Sequence, residues 1–389
     1  MKTPVVWVTA ALTAAIVLTA SFLIATGTRG ENTSFASSAG QLEVQTVATG
    51  LANPWALAFL PDGRMLVTER AGRMRIVTPE GQLSPPLKGV PQVWASGQGG
   101  LLDVITDKSF AQNKTFYFCF AERDGDGGGG RTAVASATLV SGSAPRLDDL
   151  SIIFRQEGPL SSGNHYGCRI AQASDGNLFV TLGEHFSHRD QAQNLANHLG
   201  KVIRIAPDGS APTDNPFVGR KDARPEIWSY GHRNEQGLAI NPASGDLWEI
   251  EHGPQGGDEV NIIGRGKNYG WPVIGYGVNY GGGKLHDSTA KEGMEQPIKY
   301  WVPSIAPSGM TFYTAKLFPK WSGSLFTGAL AGKMLVRLSL NGNTVTGEER
   351  LLQNLNERIR DVRQGPDGAL WLLTDNSAGR ILRVSPAAR

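Results

Sequence analysis

Short runs of apolar residues alternating with polar residues recur along the chain, and tight-turn sequences separate them in pairs. Alternation with a period of two is typical of a β-strand with one buried face, and Asp-Gly or Ser-Gly-Asp between two such runs indicates a hairpin. No amphipathic helical pattern of convincing length competes. The clearest hairpin copies lie at residues 55–77, 169–183, 237–250 and 361–384.

Two weaker copies, at residues 101–120 and 309–340, bring the number of repeats to six. Repeats of roughly 45 to 70 residues match one four-stranded blade with its loops. We therefore predict an all-β fold, a six-bladed β-propeller with its active site at one face of the central channel, and we expect residues 41–48 to complete the last blade. A pair of β-sandwiches or a β-solenoid is the alternative, although long segments between repeats fit a solenoid poorly.

The first residues of the chain have the pattern of an export signal. The stretch from Thr3 to Thr28 carries no charge and follows Lys2. Its length approaches the roughly 20 residues that cross a bilayer, so a cleaved signal peptide and an uncleaved anchor both remain open. We predict a signal peptide or membrane anchor plus linker over residues 1–40 and the propeller over residues 41–389, in the periplasm or at the cell surface, with a possible membrane tether through residues 3–28.

The two cysteines and the charge balance narrow the setting further. Cys119 and Cys168 would face an oxidising compartment, where they can pair; two buried free thiols are the alternative. The formal net charge is only +2, and no basic stripe with interleaved aromatic residues is present. This composition predicts no nucleic-acid partner and favours small-molecule chemistry.

Polar and glycine-rich segments between the repeats hold the candidate chemistry. His165 directly precedes a repeat strand, where a neutral imidazole can accept a proton, although an isolated histidine is more often structural. Arg358 and Arg360 alternate along an extended segment, so both guanidinium groups face one side and suit a ligand with several carboxylates; solvated arginines on a surface strand are the alternative. Residues 251–259 form a glycine-rich turn whose carbonyls suit calcium, or a turn that its acids merely cap.

Taken together, these segments resemble the soluble quinoprotein glucose dehydrogenases and, more closely, the bacterial aldose sugar dehydrogenases of the same family. The resemblance runs from residue 50 to residue 375, and its most specific strings are SYGHRNEQGLA (229–239), EHGPQGGDEVN (251–261) and KNYGWP (267–272). It implies oxidation of the C1 hydroxyl of aldoses to lactones, with pyrroloquinoline quinone (PQQ) and Ca²⁺ as cofactors, an aldose as substrate and an external electron acceptor.

The resemblance also implies roles for individual residues. His165 falls at the general base and Arg233 at a catalytic position that stabilises charge on the quinone oxygen, while Gln98 and Asn164 fall at sugar-contacting positions. The positions that the resemblance assigns to the cofactor are Arg233, Asn234, Arg358, Arg360, Ser304, Asp375 and Lys333. Those assigned to calcium are the carbonyl-bearing Gly253 and Pro254 and, for a second ion, Ile274, Tyr276 and Glu295.

This chain departs from the glucose enzymes at three positions. Where they have a cofactor-contacting lysine, this chain has Ala331, with Lys333 two residues further on. Asn164 replaces an aspartate, and Val302 replaces an aromatic residue. A less enclosed sugar pocket follows, which favours a broad range of monosaccharides and possibly disaccharides.

Two other functions are compatible with a propeller. One is a protein that binds glycans or partners without turnover, because fold alone does not determine function; the other is a calcium-dependent hydrolase of lactones, for which we find no ring of acidic and amide side chains. The physiological sugar, the electron acceptor and the state of association, monomer or homodimer, are left open by the sequence.

Overall fold

The computed structural model of the chain describes Met1, residues 33–125 and residues 129–388. In this part of the chain, strands form six antiparallel sheets. The first strands of successive sheets contact one another in a ring, and the first strand of the sixth sheet contacts that of the first sheet. The predicted six-bladed β-propeller is thereby confirmed.

The bounds of the strands follow the repeats closely, and each predicted repeat start lies in the first strand of a blade. In chain order the strands are β1 (Thr33–Ser37), β2 (Gly40–Leu51), β3 (Pro54–Phe59), β4 (Met65–Glu69), β5 (Arg73–Val77), β6 (Leu101–Thr106), β7 (Thr115–Arg123), β8 (Gly130–Val140), β9 (Arg146–Arg155), β10 (Gly167–Gln172), β11 (Leu178–Leu182), β12 (Lys201–Ile205), β13 (Ile227–Tyr230), β14 (Glu235–Ile240), β15 (Leu247–Glu251), β16 (Asp258–Ile263), β17 (Lys299–Trp301), β18 (Pro307–Phe312), β19 (Leu325–Ala329), β20 (Met334–Asn341), β21 (Thr344–Leu351), β22 (Ile359–Gln364), β23 (Leu370–Thr374) and β24 (Gly379–Pro386).

The last blade is closed by the beginning of the described chain, as the sequence predicts. Strand β2 pairs antiparallel with β24, and β1 pairs with β2 as an additional outer strand. Strand β1 shows that regular structure is already present at Thr33, ahead of residue 41. Beyond its end, the backbone N–H and hydroxyl of Ser38 both donate to the carboxylate of Glu349, which ties this segment to the neighbouring blade. Closure of the ring places every blade between two neighbouring blades, and the remaining sheet edges are short.

Helices contribute little to the fold. Among the described residues they are α1 (Phe110–Asn113) and three single 3₁₀ turns at Arg189–Gln193, Pro319–Trp321 and Gln353–Leu355. No helix in this part of the chain is long and apolar enough to span a membrane. The predicted signal or anchor at residues 3–28 lies outside the described residues.

A disulfide joins the second and third blades. Cys119 on β7 and Cys168 on β10 are bonded, with their Cα atoms 5.7 Å apart. Both residues are buried in the largest apolar cluster of the protein, among the inner strands of these blades. The two cysteines therefore form a disulfide and are not two buried free thiols.

Buried ion pairs fill the central channel. Arg169 on β10 donates to Asp103 at 3.3 Å and to Asp361 at 3.0 Å, and Arg363 pairs with the same two carboxylates. These side chains come from the first strands of three different blades. Because each charge meets an opposite charge, the network can occupy the channel without leaving a buried ion unpaired.

Candidate active site

The innermost strands begin, and the second strands end, at the same face of the propeller. A cavity of about 410 Å³ opens at this face on the channel axis. Five of the predicted site residues line the cavity: Gln98, Asn234, Arg358, Arg360 and Asp375. Loops that are far apart in sequence therefore converge where the propeller prediction places the site.

His165 lies beside this cavity and is oriented by a carboxyl group. Its Nδ1 is 2.8 Å from Oε1 of Glu184, and its backbone N–H donates to Oε1 of Gln98 at 2.8 Å. The backbone of His165 has a φ of 55°, in the left-handed region that non-glycine residues rarely adopt. Such strain is common at functional sites. Because Nδ1 faces Glu184, Nε2 is the nitrogen that can receive a proton from a substrate.

Burial and charge both keep the imidazole neutral. The pKa of His165 is lowered well below its usual value, first by burial and then by the nearby charge of Arg233. Burial also raises the pKa of Glu184 to about 8, against the opposing effect of Arg233. Ionised Glu184 would therefore stabilise the protonated form of His165.

The two predicted sugar contacts lie on either side of this histidine. Gln98 is exposed, and its backbone N–H donates to the carbonyl of Gly163 at 2.8 Å, which holds the loop containing Gln98 against the segment before His165. Asn164 is partly exposed, and its backbone N–H donates to Oγ of Ser162 at 3.2 Å. The side-chain amide of Gln98 thus contacts the backbone of His165, and Asn164 directly precedes this histidine in the sequence.

Arg358 and Arg360 form the cationic end of the cavity. Their Nη2 atoms donate to the same oxygen of Asp375, at 2.8 and 3.1 Å. Arg360 also donates to Oε1 of Gln236 at 3.1 Å, and its guanidinium lies over the ring of Trp55. The alternation of the two arginines thus places both groups on one side, as predicted, and Asp375 is the residue that holds them together.

Arg233 and Asn234 are buried at the start of the fourth blade. Arg233 donates from Nη1 to the carbonyls of His252 and Gly253, at 2.9 and 3.0 Å, and from Nη2 to the hydroxyl of Tyr280 at 3.2 Å. Asn234 accepts a hydrogen bond from the backbone N–H of Gly167 at 3.3 Å. The guanidinium of Arg233 also lines a second cavity of about 390 Å³ that extends outward from Glu184.

The predicted calcium turn surrounds a very small cavity. Gly253 and Pro254 line a space of about 20 Å³ together with Glu259. This volume accommodates one water-sized particle. At Gly253 a Cβ atom would lie 2.1 Å from the carbonyl oxygen of Gly256, so only glycine fits.

The structure separates the residues predicted for a second calcium ion. Ile274 and Tyr276 line the same small cavity as Gly253. The carboxylate of Glu295 instead forms an ion pair with Nζ of Lys267, at 2.9 Å and at the protein surface. The three residues therefore do not form one ligand set in this arrangement.

Two of the predicted cofactor residues have other partners. Ser304 donates to the carboxylate of Asp258, at 2.8 Å to one oxygen and 2.9 Å to the other, and Asp258 in turn accepts the backbone N–H of Gly253. Ser304 thus supports the turn of Gly253. Lys333 is exposed and donates to Oδ1 of Asn356 at 3.1 Å, and neither residue is among those that line the main cavity.

Several residues of the site were not predicted from the sequence. Glu184 is the most important, and a signal for it exists: in four repeats an acidic residue stands at or just after the end of the second strand, namely Glu69, Glu184, Glu251 and Asp375. Arg70, Trp55 and His252, which line the main cavity, were also missed. Beneath Arg233 lies a further unpredicted group, a buried cluster in which His232, Glu249 and Glu251 bring ligand atoms within 4.8 Å of one another.

Comparison with known proteins identifies the family. The family model for glucose/sorbosone dehydrogenases matches residues 51–383. The aldose sugar dehydrogenase YliI of Escherichia coli is 48% identical over 89% of this chain and 93% of its own length. The apo crystal structure of the soluble aldose sugar dehydrogenase of E. coli superimposes with a TM-score of 0.86, at 46% identity over 89% of this chain and all of the other.

A second solved structure, with lower sequence identity, contains PQQ. The PQQ-bound aldose sugar dehydrogenase of Streptomyces coelicolor superimposes with a TM-score of 0.73, at 31% identity, over 88% of this chain and 98% of the other. The family match, the identity and the shared propeller agree. The chain belongs to the glucose/sorbosone dehydrogenase family of oxidoreductases.

Proposed function

We propose that this protein oxidises the C1 hydroxyl of aldose sugars to lactones with PQQ as its cofactor and Ca²⁺ as its metal, and that His165 is the general base. The observation that carries the proposal is the placement of His165, held by Glu184, beside a cavity whose far side carries two converging arginines. Oxidation of the sugar requires a base, and binding of a polycarboxylate cofactor requires cationic groups; the cavity has both.

The main cavity has the chemistry to hold PQQ, a planar quinone with several carboxylates. Arg358 and Arg360 share one oxygen of Asp375, and Nε of Arg360 is buried without a hydrogen-bond partner. Unmet donors on a buried guanidinium favour a ligand that brings carboxylate oxygens. A related protein with PQQ bound supports the same cofactor for this chain.

Residues of the chain accept the proton and orient the sugar. When bound, PQQ accepts the hydride that leaves C1 of the sugar. The proton of the C1 hydroxyl passes to Nε2 of His165 as the C1–O double bond of the lactone forms, and Glu184 stabilises the resulting imidazolium through Nδ1–H. Arg233 provides positive charge near the base, and Gln98 and Asn164 offer amides to the sugar hydroxyls.

Two observations support calcium binding at the turn of Gly253 and Pro254. The cavity there has the volume of a single particle, and Glu259 lines it together with Gly253, Pro254 and Arg233. Carbonyl and carboxylate oxygens are the ligands that calcium prefers. The proposal for a second ion at Ile274, Tyr276 and Glu295 has less support, because Glu295 is paired with Lys267.

The open face of the site supports a broad substrate range. Val302, at the position of an aromatic residue in the glucose enzymes, has 60% of its surface exposed. The second cavity beside Glu184 adds space next to the base. We therefore include disaccharides among the proposed substrates, together with an external electron acceptor and an extracytoplasmic location, with which the disulfide agrees.

Dye reduction with purified full-length protein tests the proposal. A panel of aldoses is measured without additions, with PQQ alone, with Ca²⁺ alone, and with both. Sugar-dependent reduction that needs both additions is the expected result. Tight PQQ binding without turnover of any sugar would instead support a propeller that binds ligands without catalysis.

A further inference from the structure

A cluster of buried acids lies beneath Arg233, outside the cavity proposed for PQQ. Glu235, Glu249 and Glu251 are each at most 4% exposed, and His232 and Asn261 are fully buried among them. They come from the loop before β14 and from the neighbouring strands β14, β15 and β16. Three carboxyl groups in so small a buried space need a compensating positive charge or must bind protons.

The cationic side chains nearby do not supply that charge directly. Lys201 is buried, but its ammonium donates to three backbone carbonyls, those of Gln191, Ala192 and Leu199. The guanidinium of Arg233 is directed to the carbonyls of His252 and Gly253. Across residues 33–125 and 129–388, no lysine or arginine forms an ion pair with any acid of the cluster.

His232 presents an unused nitrogen to the cluster. Its Nε2 is 2.8 Å from Oγ of Ser229, and its Nδ1 makes no hydrogen bond although it lies 3.5 Å from Oε1 of Glu251. When Nε2–H donates to Ser229, Nδ1 carries a lone pair directed at a carboxylate oxygen. Metal-binding histidines commonly have this arrangement, with the other ring nitrogen donating to a fixed acceptor.

Two more oxygens in the same space lack hydrogen bonds. Oε1 of Glu249 and Oδ1 of Asn261 are buried without partners. The amide nitrogen of Asn261 lies 3.3 Å from carboxylate oxygens of Glu249, Glu251 and Glu259, which holds these three side chains together. A bound cation would satisfy this set of unpaired buried acceptors around one imidazole.

We propose that His232, Glu249 and Glu251 bind a divalent transition-metal ion such as Mn²⁺ or Zn²⁺. The site adjoins the calcium turn, because Glu251 is the first residue of that turn and also lines its small cavity. Their ligand atoms lie within 4.8 Å of one another. One imidazole with two carboxylates matches the ligand preference of these metals, whereas calcium prefers oxygen alone. The ion would cross-link the loop before β14 to β15, directly beneath the backbone of Arg233, whose N–H donates to Glu251 at 2.6 Å.

The test uses tag-free full-length protein without PQQ, in a buffer with excess Ca²⁺ so that calcium sites are filled. The protein is stripped with a chelator and titrated with Zn²⁺ or Mn²⁺ by calorimetry. We expect one equivalent to bind in spite of the calcium, and binding at least tenfold weaker in Glu249→Gln and in His232→Gln. His188→Gln is the matched control, because His188 contacts Ser161 in a loop outside the cluster, and it should bind as the wild type does.

Spectroscopy of the wild type decides the question even when a variant fails to fold. Bound Mn²⁺ should show coupling to one imidazole nitrogen in pulsed electron paramagnetic resonance. Absence of stoichiometric Zn²⁺ and Mn²⁺ binding, or bound Mn²⁺ without nitrogen coupling, would overturn the proposal and leave protonated carboxyl groups as the explanation. Because PQQ and sugar are absent, this result is independent of the proposed dehydrogenase activity.

Discussion

The carboxyl of Glu184 lies 2.8 Å from the imidazole of His165, and both side chains are buried. Neither residue lies close to the other in sequence, since a whole hairpin of the third blade separates them. The contact orients the imidazole and determines when its protonated form is stabilised. It therefore links the geometry of the site to a pH dependence.

Ionisation of Glu184 should make the activity increase with pH. Burial raises its pKa to about 8 while His165 remains neutral, so the ionised Glu184 that supports a protonated His165 accumulates as the pH increases through 8. We expect kcat/KM to increase from pH 6 to pH 9, and Glu184→Gln to lower kcat by about a hundredfold and remove this dependence. The pH profile of dye reduction is the measurement, and an unchanged profile in the variant would contradict this role.

Arg360 should contribute to cofactor affinity through its forked geometry. Arg360→Lys keeps the charge but loses the second donor group, and a charged hydrogen bond contributes about 1.5–3 kcal/mol. We expect PQQ to bind roughly ten- to a hundredfold more weakly, as followed by quenching of tryptophan fluorescence. Arg350→Lys is the control, because Arg350 pairs with Glu348 on the outer strand β21. Equal loss in both variants would argue against a specific contact.

The disulfide should stabilise the propeller without taking part in catalysis. Cys119 and Cys168 are 49 residues apart, and closing a loop of this length stabilises a protein by about 2–4 kcal/mol. The double variant Cys119→Ala/Cys168→Ala should lower the free energy of unfolding by that amount in urea titrations. Reductant should destabilise the wild type and leave the double variant unchanged; equal sensitivity of the two proteins would count against the bond.

Leu42 should matter for closure of the ring. It is fully buried on β2, in a cluster with residues of the fifth and sixth blades. Leu42→Ala removes buried apolar surface and should cost about 2–5 kcal/mol of unfolding free energy. Gln41→Ala, an exposed change one residue earlier, should cost less than about 0.5 kcal/mol. Similar midpoints of thermal unfolding for the two variants would show that β2 does not hold the blades together.

The architecture was predictable because its signals are local. Each hairpin carries its own alternation and turn residues, so counting copies gave the six blades, and residues 41–48 were correctly expected to complete the last one. Strand β1 was missed because it precedes this closure in a segment read as linker. Its pairing with β2 and the contact of Ser38 with Glu349 depend on packing between blades.

The site was only partly predictable, because many of its contacts join residues that are far apart in the sequence. The alternation of Arg358 and Arg360 predicted that both groups face one side, whereas the roles proposed for them and for His165 came from the family resemblance. Glu184 and the cluster of His232, Glu249 and Glu251 were missed because their partners lie on different strands. The resemblance assigns Ser304 to the cofactor, and in the structure its hydroxyl donates to Asp258, a residue 46 positions earlier.

Reduction of bound PQQ by sugar tests the central claim most directly. Protein loaded with one equivalent of PQQ and with Ca²⁺ is mixed with excess glucose in a stopped-flow instrument, and the absorbance of the cofactor is followed for the wild type and for His165→Asn. We expect both proteins to bind PQQ with affinities within about threefold, and the variant to react roughly a hundred- to ten-thousandfold more slowly. An unchanged rate in His165→Asn would contradict the assignment of His165 as the base.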